Sequence, residues 1–527
     1  MPDRAPGRVP GRIPGSLPGR LRRRVRTPRQ KLVASLATAA VVIGLGGYGI
    51  ARLTTPEDRS CAAGVERPEG SSECVGVNGD GHDFGIAELT EVAGAIGREN
   101  ATLKPDEYAT VAVLLPLTSP DGGMRTKVLH EVQGAYAYQY RANHESNSQT
   151  PKIRLVLANT GRGNAHWQAT TRQLASMTGA PDRLRVVSGV ATSSTAMREA
   201  VTALTQGGIA VVGTTITADD IANGPGAGNN RYPGLARVSP TNSDEAKALA
   251  HFGRVNAAKA LLVQDTRSGD HYTDTLKSAF AASLKGAPYE PQLFTSPPDP
   301  TDEGTTANTF RQITHLICDT RAETVFFAGR HTQLRQFINA LGSRGCTDRA
   351  FTILTGDEGS YLGADKQLDR NALKAKLTVR YAALAHPDAW KPAPGRTVPA
   401  TGGSVVAYTT FETDIARASK KPVALADGQA IVAYDAMATA VHAIRQATPL
   451  DARYPELSDV VTQWPQVKGS LRVQGASGWI CLDNYGNPYN KAVPIVELAL
   501  DGSQRFVQIA WPEKNPPSTS CLPPKRG

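Results

Sequence analysis

From Tyr108 onward, apolar runs of strand length alternate with amphipathic segments of helix length. The runs are ATVAVLLPL, KIRLVLAN, LRVVSGV, IAVVG, AKALLVQD, AETVFFAG and FTILTG. Between two of them, in SSTAMREAVTALTQ, Met197, Val201 and Leu204 recur on one helical face. Continuous apolar strands separated by helices are typical of parallel sheets covered on both faces. Since the strands are too many for one sheet of ordinary size, the pattern predicts an α/β fold with two doubly wound lobes.

Hydroxyl side chains follow two consecutive strands of this pattern. Thr192 to Thr195 come after LRVVSGV, and Thr214, Thr215 and Thr217 come after IAVVG. Ligands bind open parallel sheets beyond the carboxyl ends of the strands, where helix N-termini also favour anions. Helix capping is the alternative, because one Ser or Thr satisfies a free N–H group. Capping does not need four hydroxyls in a row, so the two clusters together indicate a binding site.

Twenty uncharged residues, Leu32 to Ala51, precede the regular pattern and match the length of a helix that crosses a bilayer. Ten basic residues lie before this segment, and Arg52 follows it. The asymmetry predicts an uncleaved transmembrane signal anchor over 32–52, with residues 1–31 as a basic, disordered cytoplasmic tail. The remainder is then extracytoplasmic, on a cell membrane that the chain crosses once. A cleavable signal peptide is the alternative.

Charge and cysteines fit an extracytoplasmic domain. The formal net charge of +10 belongs to the N-terminal segment, and positive and negative residues balance from Leu53 onward. This balance gives no reason to expect nucleic acid as a partner. The six cysteines are an even number, which is typical of disulfides in an oxidising compartment. Of the fifteen possible pairings, proximity in sequence suggests Cys61–Cys74, Cys318–Cys346 and Cys481–Cys521.

Motifs of catalysis and metal binding are missing from the sequence. It contains no G-x-S-x-G, H-E-x-x-H, P-loop or C-x-x-C motif. His130-Glu131 starts no zinc motif because residue 134 is Gly. No pair of carboxylates stands out as an acid/base couple. The sequence therefore predicts no enzyme, no metal site and no cofactor.

Most of the chain resembles a known family. Matching stretches are VAVLLPLTSPDG, VQGAYAYQYRANH, SGVATSSTAMREAVTALTQGGIAVVGTTITADDI, ALLVQDTRSGDHYTDTLKSAF, TVFFAGRHTQLRQFINALGSRG, ILTGDEGS and AIVAYDAMATAVHAIRQA. In this order they resemble the type 1 periplasmic binding proteins, in particular the leucine/isoleucine/valine-binding group of ABC importers. The resemblance implies two lobes joined by a three-strand hinge that close on a small ligand. It places lobe 1 over 107–236 plus 380–465 and lobe 2 over 237–379 plus 466–512. Outside the family pattern, the polar, glycine-rich residues 53–106 are expected to form an extracytoplasmic stalk or N-terminal extension, and 513–527 a C-terminal tail.

The resemblance also implies ligand-binding residues in the first lobe. Ser193, or Ser194 in the alternative alignment, corresponds to the residue that holds a ligand carboxylate. Thr214 and Thr215 correspond to residues that contact both the carboxylate and the ammonium group of an amino acid. Thr217 is the expected hydroxyl donor, although a shift of one residue would place Ile216 there.

In the second lobe, Tyr272 corresponds to a tyrosine that closes over the ligand, and Glu358 to the acid that pairs with its ammonium group. Arg330 departs from the family, which often has an aromatic or small residue there. Its guanidinium could pair with a second ligand carboxylate, fold outward, or neutralise Asp357 or Glu358. Aliphatic amino-acid specificity is therefore in doubt.

Two functions fit these features. The first is a membrane-anchored solute-binding protein that captures a small polar ligand, an amino acid or related zwitterion, for an ABC transporter permease. The alternative is a ligand-sensing or envelope interaction module that keeps the clamp fold without a transport role. An enzyme on this scaffold is disfavoured by the missing motifs.

Overall fold

The computed structural model describes residues 58–145, 149–224, 230–299 and 302–524. Within these residues a first sheet has the strand order β1-β2-β3-β5-β4-β6-β7-β8. Its strands are β1 (Ser60–Ala62), β2 (Val65–Glu66), β3 (Val75–Asn78), β4 (Tyr108–Leu115), β5 (Lys152–Asn159), β6 (Leu184–Gly189), β7 (Ala210–Gly213) and β8 (Leu235–Arg237). Strands β4 to β8 pair in parallel, and β1 to β3 add an antiparallel edge.

Helices cover both faces of this sheet because the side chains of its central strand alternate between two cores. Val111 and Val113 of β4 pack in one core, while Ala112 and Leu114 pack in the other. The helices of this half of the chain are α1 (Thr90–Asn100), α2 (Gly122–His144), α3 (Trp167–Ser176) and α4 (Thr195–Gln206). Both faces are buried, which explains why β4 reads as an unbroken apolar run.

The second sheet has the strand order β10-β9-β11-β12-β13-β16-β17 within the described residues. The strands in this part of the chain are β9 (Ala260–Asp265), β10 (Gln292–Phe294), β11 (Thr324–Ala328), β12 (Phe351–Thr355), β13 (Leu377–Ala382), β14 (Val473–Gly475), β15 (Gly478–Ile480), β16 (Val493–Leu498) and β17 (Gln504–Ala510). Its helices are α5 (Asn242–Gly253), α6 (His271–Ser283), α7 (Thr306–Asp319) and α8 (His331–Gly342). Strands β9 to β13 pair in parallel, while β16 and β17 are antiparallel.

The chain passes between the two lobes three times. The first passage leads from β8 to α5, and the second from β13 to α9 (Val405–Ala418), which packs on α2 together with α10 (Gln429–Ala447). The third leads from α11 (Leu457–Val461) through the β14–β15 hairpin to β16. All seven strands expected from the sequence are present, and the two-lobe prediction is confirmed.

Two features differ in detail from the sequence-based expectation. Residues 60–78, which were expected in a stalk or extension, contribute β1 to β3 to the first sheet. The segment 285–299 contains β10, which is absent from the strands expected from the sequence and extends the parallel part of the second sheet. Both segments are polar and rich in turn-forming residues, so their short strands leave little periodic signal. β13 and the last two strands, likewise absent from the sequence-based list, complete the second sheet.

The cysteines form the three pairs suggested by proximity, namely Cys61–Cys74, Cys318–Cys346 and Cys481–Cys521. The predicted anchor over 32–52 lies outside the described residues. Among the helices from residue 58 onward that the structure describes, none has the length and apolar character needed to cross a membrane.

Helix α2 lies unusually close to α10 at Gly134, where a Cβ atom would overlap the backbone carbonyl of Ala430. We expect Gly134→Ala to push the helices apart and lower the free energy of unfolding by about 1–3 kcal/mol, as overpacked cores do. Chemical denaturation measures this loss. Gly122→Ala is the matched control, because a Cβ atom there meets nothing within 4 Å. Equal stability of the two variants would contradict the close approach of α2 and α10.

Candidate functional site

Two helix N-termini meet across the cleft between the lobes. Ser194 follows β6 and caps α4, accepting a hydrogen bond from the backbone N–H of Met197 at 3.3 Å. Asp270 follows β9 and caps α6 through the backbone N–H of Thr273. Ser194 and Asp270 also form an antiparallel β-bridge, and the N–H of Tyr272 donates to the carbonyl of Ser193 at 3.3 Å. The lobes are therefore closed onto each other beside the first hydroxyl cluster.

A buried lysine and glutamate on α2 face the second hydroxyl cluster. The side chain of Lys127 is 4% exposed and its Nζ donates to Thr215 Oγ1 at 2.6 Å. The same Nζ lies 3.3 Å from Oε1 of Glu131, one helical turn further on. Thr214 donates to the other oxygen of Glu131 at 2.7 Å. The first lobe thus contributes a lysine, a glutamate and two hydroxyls that bind one another.

In the second lobe, Arg330 bridges two carboxylates. Its Nε and Nη2 donate to the two oxygens of Asp270 at 2.8 and 2.7 Å, and its Nη1 donates to Glu358 at 2.7 Å. The backbone N–H of His331 also donates to Glu358, and the imidazole Nδ1 of His331 lies 2.9 Å from it. The guanidinium stacks over the ring of Tyr272 at 4.5 Å from its centre. The sequence left three roles open for Arg330, and the structure places it against Glu358 and Asp270.

These contacts set the charge states. Burial opposes ionisation of Glu358, but Arg330 and His331 outweigh it and hold the pKa of this carboxyl well below its usual range. Asp270 follows the same balance, so its pKa is also lowered by Arg330 despite burial. Burial likewise disfavours a charged His331, yet its hydrogen bond to Glu358 raises the pKa of the imidazole overall. Glu358, Asp270 and Arg330 therefore stay ionised at neutral pH.

Asp357, the neighbour of Glu358, behaves in the opposite way. Burial, and then the negative charge of Glu358, raise the pKa of Asp357 to about 7. Its backbone N–H donates to the carboxyl of Glu245 on α5 at 3.1 Å. Burial, together with the Asp357 charge, also raises the pKa of Glu245 well above its usual range. One oxygen of each carboxyl has no hydrogen-bond partner among the described residues.

The cleft contains two chambers. The inner chamber has a volume of about 20 Å³ and lies between the hydroxyl clusters and Tyr272. The outer chamber has a volume of about 520 Å³, within the range of small-molecule sites. Its polar lining includes Asn164, Thr192, Ser194, Arg267, Asp270, Arg330, His331 and Glu358, and its apolar lining is Pro116, Pro120, Met124, Pro298 and Tyr361.

Most of the residues expected at the ligand surround these chambers. The inner chamber is lined by Ser193, Thr215, Tyr272, Arg330 and Glu358, and the outer one by Ser194, Arg330 and Glu358. Thr214 and Thr217 line neither chamber. The hydroxyl of Thr217 is buried without a hydrogen-bond partner among the described residues, while its carbonyl accepts from the N–H of Asn242 in the first passage between lobes.

Sequence reasoning missed Lys127, Asp270 and Met124. The spacing of Lys127 and Glu131 on a predicted helix is the common pattern of an exposed ion pair, so it carried no sign of burial. Asp270 had a usable signal, because an aspartate just before an amphipathic segment is a helix N-cap at a strand-end loop. Its pairing with Arg330 joins residues 60 positions apart and depends on the sheet order.

Comparisons with known proteins show which solved structures share this fold. The sequence matches no protein-family profile and no curated protein. Solved structures do match. The leucine-binding protein LivK of Thermotoga maritima is 16% identical with a TM-score of 0.54, covering 77% of this chain and 99% of its own. LivJ of Streptococcus pneumoniae, in complex with isoleucine, is 15% identical with a TM-score of 0.53, covering 77% of this chain and 99% of its own.

A third neighbour binds a different ligand. It is a solute-binding protein of an ABC transporter from Rhodopseudomonas palustris in complex with p-hydroxybenzoic acid. It is 15% identical with a TM-score of 0.56, covering 77% of this chain and 97% of its own. The neighbours are type 1 periplasmic binding proteins. At these identities, the likeness establishes that this chain has their fold.

The raised pKa of Asp357 predicts a pH-dependent effect of the substitution Asp357→Asn. Between pH 3.8, the ordinary pKa of the carboxyl, and about pH 7, its pKa in the folded protein, the folded state binds more protons than the unfolded state. The free energy of unfolding therefore falls as the pH rises through this range. We expect the asparagine variant to change the melting temperature little at pH 4, where the carboxyl is protonated in the folded state. At pH 8 the gain in free energy of unfolding over wild type should be about 4 kcal/mol. Exposed Asp348→Asn is the control, and an equal effect of Asp357→Asn at both pH values would contradict the assignment.

Proposed function

We propose that this protein is an extracytoplasmic solute-binding clamp that captures a small polar ligand between its lobes for ABC-type import. The observation that carries the proposal is the 520 Å³ chamber, which is lined by loops from both sheets. Ligands bind α/β sheets at these carboxyl ends. Because the chamber lies between two lobes, a bound ligand can favour the closed arrangement of the lobes.

The ligand is expected to carry a carboxylate. The resemblance narrows it to an amino acid or related zwitterion, and the neighbours' ligands include isoleucine and p-hydroxybenzoic acid. All of these have a carboxylate, which needs hydrogen-bond donors in a buried site. Ser193 and Ser194, proposed as ligand-binding residues, and Thr192 are donors of this kind, and the helix N-terminus at Ser194 adds a favourable dipole. Thr215, also proposed at the ligand, already donates its hydroxyl to the carbonyl of Ala191 at 2.9 Å.

We propose binding rather than catalysis. In the cleft, Lys127, Asp270, Arg330 and Glu358 are each tied to a partner within the protein. Thr195 lies 3.3 Å from Nε2 of His271, whose Nδ1 lies 2.5 Å from Asp220, but these three residues line neither chamber. Among the described residues, no cluster of His, Cys, Asp and Glu could hold a metal ion. The neighbours are likewise substrate-binding proteins, and their fold supports a binding role.

We also propose that residues 32–52 anchor the protein in the cell membrane, with 1–31 in the cytoplasm and the lobes outside. The twenty uncharged residues, the basic flank and the three disulfides support this topology. Membrane fractionation tests it. The full chain should sediment with membranes and resist carbonate extraction, and release of a mature domain that begins after residue 52 would show cleavage instead.

A sensing or envelope interaction role is the second candidate. The direct bonds between the lobes favour it, because Tyr272 and Asp270 of the second lobe bond directly to Ser193 and Ser194 of the first. A module that closes in this way could present one surface to a partner. Affinity purification of the membrane-extracted protein distinguishes the two. Co-purification of a transporter membrane subunit would support import. Co-purification of another envelope protein without that subunit would support sensing.

A ligand screen tests the binding function. We expect at least one compound among the twenty amino acids and simple aliphatic and aromatic acids to raise the melting temperature. At a hundredfold excess over Kd, the free energy of unfolding should rise by about 2.7 kcal/mol. Thr192→Val should weaken that ligand about tenfold or more, since a hydrogen bond to a charged group is lost. Thr202→Val on α4, which lines neither chamber, is the matched control. Stabilisation by no compound in the screen would contradict the proposal.

A further inference from the structure

Lys127 occupies the space where the resemblance places the ammonium end of an amino acid. Its Nζ lies 2.6 Å from Thr215 Oγ1 and 3.3 Å from Glu131, and its side chain is 4% exposed. Lys127, Thr215, Tyr272 and Glu358 line the inner chamber together. The amino group of the lysine thus makes the contact with the hydroxyl cluster that a ligand ammonium group would make.

Little volume remains beside this lysine. The inner chamber of about 20 Å³ has room for about one water molecule. A zwitterionic head with an α-carbon, an ammonium group and a carboxylate cannot enter unless Lys127 leaves. Leaving would separate Lys127 from Glu131, and breaking a buried ion pair is costly because one charge stays buried without its partner.

Three carboxylates of the cleft are already paired with cations of the protein. Glu358 is bound by Arg330 and His331, and Asp270 is bound by Arg330 and by Arg267 at 2.6 Å. At the rim, Asp299 pairs with Arg162 at 2.9 Å. Asp357 also lines the inner chamber, with one oxygen that has no hydrogen-bond partner among the described residues, and burial and the charge of Glu358 raise its pKa against the opposing effect of Lys127 and Arg330. A ligand ammonium group that approached Glu358 or Asp270 would therefore have to compete with Arg330.

The outer chamber offers free hydrogen-bond donors and apolar side chains. The hydroxyl of Thr192 accepts from Asn164 Nδ2 at 3.1 Å and that of Ser194 accepts from a backbone N–H, which leaves both O–H groups as donors. Arg330 uses three of its five N–H groups on Asp270 and Glu358. The lining also contains prolines, Met124 and Tyr361. Free donors together with apolar groups suit an acid head on an apolar body.

We propose that Lys127 excludes ammonium-bearing ligands, and that the outer chamber binds an organic acid with an apolar body and no ammonium group. The inference rests on the proposed function of the clamp and replaces the amino-acid class with a narrower one. Lys127 acts as the specificity-determining residue, because it fills the ammonium position with the protein's own cation.

Matched pairs of compounds test this choice, because each pair differs only by the α-ammonium group. The pairs are 3-phenylpropanoate and phenylalanine, 4-methylpentanoate and leucine, and succinate and aspartate. Calorimetric titration of wild type should show that the acid of at least one apolar pair binds about tenfold or more tighter than its amino acid, which corresponds to about 1.4 kcal/mol.

Lys127→Ala tests the role of the residue itself. Removing the side chain frees Thr215 and Glu131 and opens space, so the ratio of the two affinities within that pair should shift towards the amino acid by about tenfold or more. Lys277→Ala on α6 is the matched control, because Lys277 also pairs with an acid but lines neither chamber. The melting temperature of Lys127→Ala shows whether the variant folds. If it does not fold, the wild-type titrations alone decide on the ligand class.

The outcomes separate the two claims. Equal or tighter binding of the amino acids to wild type would overturn this inference and leave the proposed function standing. Binding of none of the six compounds at millimolar concentration would overturn the inference and count against the proposed function as well. A folded Lys127→Ala variant with the wild-type preference would overturn the role of Lys127.

Discussion

The pairing of Arg330 with Asp270 and Glu358 is the interaction on which the rest of the cleft depends. These residues lie in the loops after three neighbouring strands, β9, β11 and β12, so one guanidinium fixes three loops of the second lobe. Asp270 in turn caps α6 and forms the bridge to Ser194 of the first lobe. Removing Arg330 would leave two buried carboxylates facing each other, which is far more costly than losing an exposed pair.

The first lobe repeats this arrangement on a smaller scale. Lys127, Glu131 and the hydroxyls of Thr214 and Thr215 contact one another without help from the second lobe. The lobes meet through backbone contacts and caps, and at the rim through side-chain contacts such as Arg162 with Asp299 and His271 with Asp220. A ligand that enters such a cleft gains most from donors that remain free, and gains little from offering a charge that the protein already supplies.

The sequence predicts the two-sheet architecture better than it predicts the side-chain pairing in the cleft. Apolar strands such as β4 and β9 are visible because burial on both faces demands unbroken hydrophobic runs. Ser193 and Thr215 could be placed near one another because strand-end loops converge at one edge of a sheet, whereas Glu358, from the other sheet, was expected beside them through the family resemblance. The partner of Arg330 could not be chosen among neighbouring acids, since that choice depends on distances between loops. Lys127 escaped notice because burial of an i,i+4 ion pair is decided by how helix α2 packs.

A ligand in the outer chamber, with Lys127 kept in the inner one, is what the cleft should show when it is occupied. A crystal structure of the protein with a bound carboxylic acid is the direct measurement. The carboxylate should lie beside Thr192, Ser194 and Arg330, with Nζ of Lys127 still in hydrogen-bond contact with Thr215. Ligand density in the inner chamber, with Lys127 displaced and Glu358 bound to the ligand, would contradict it.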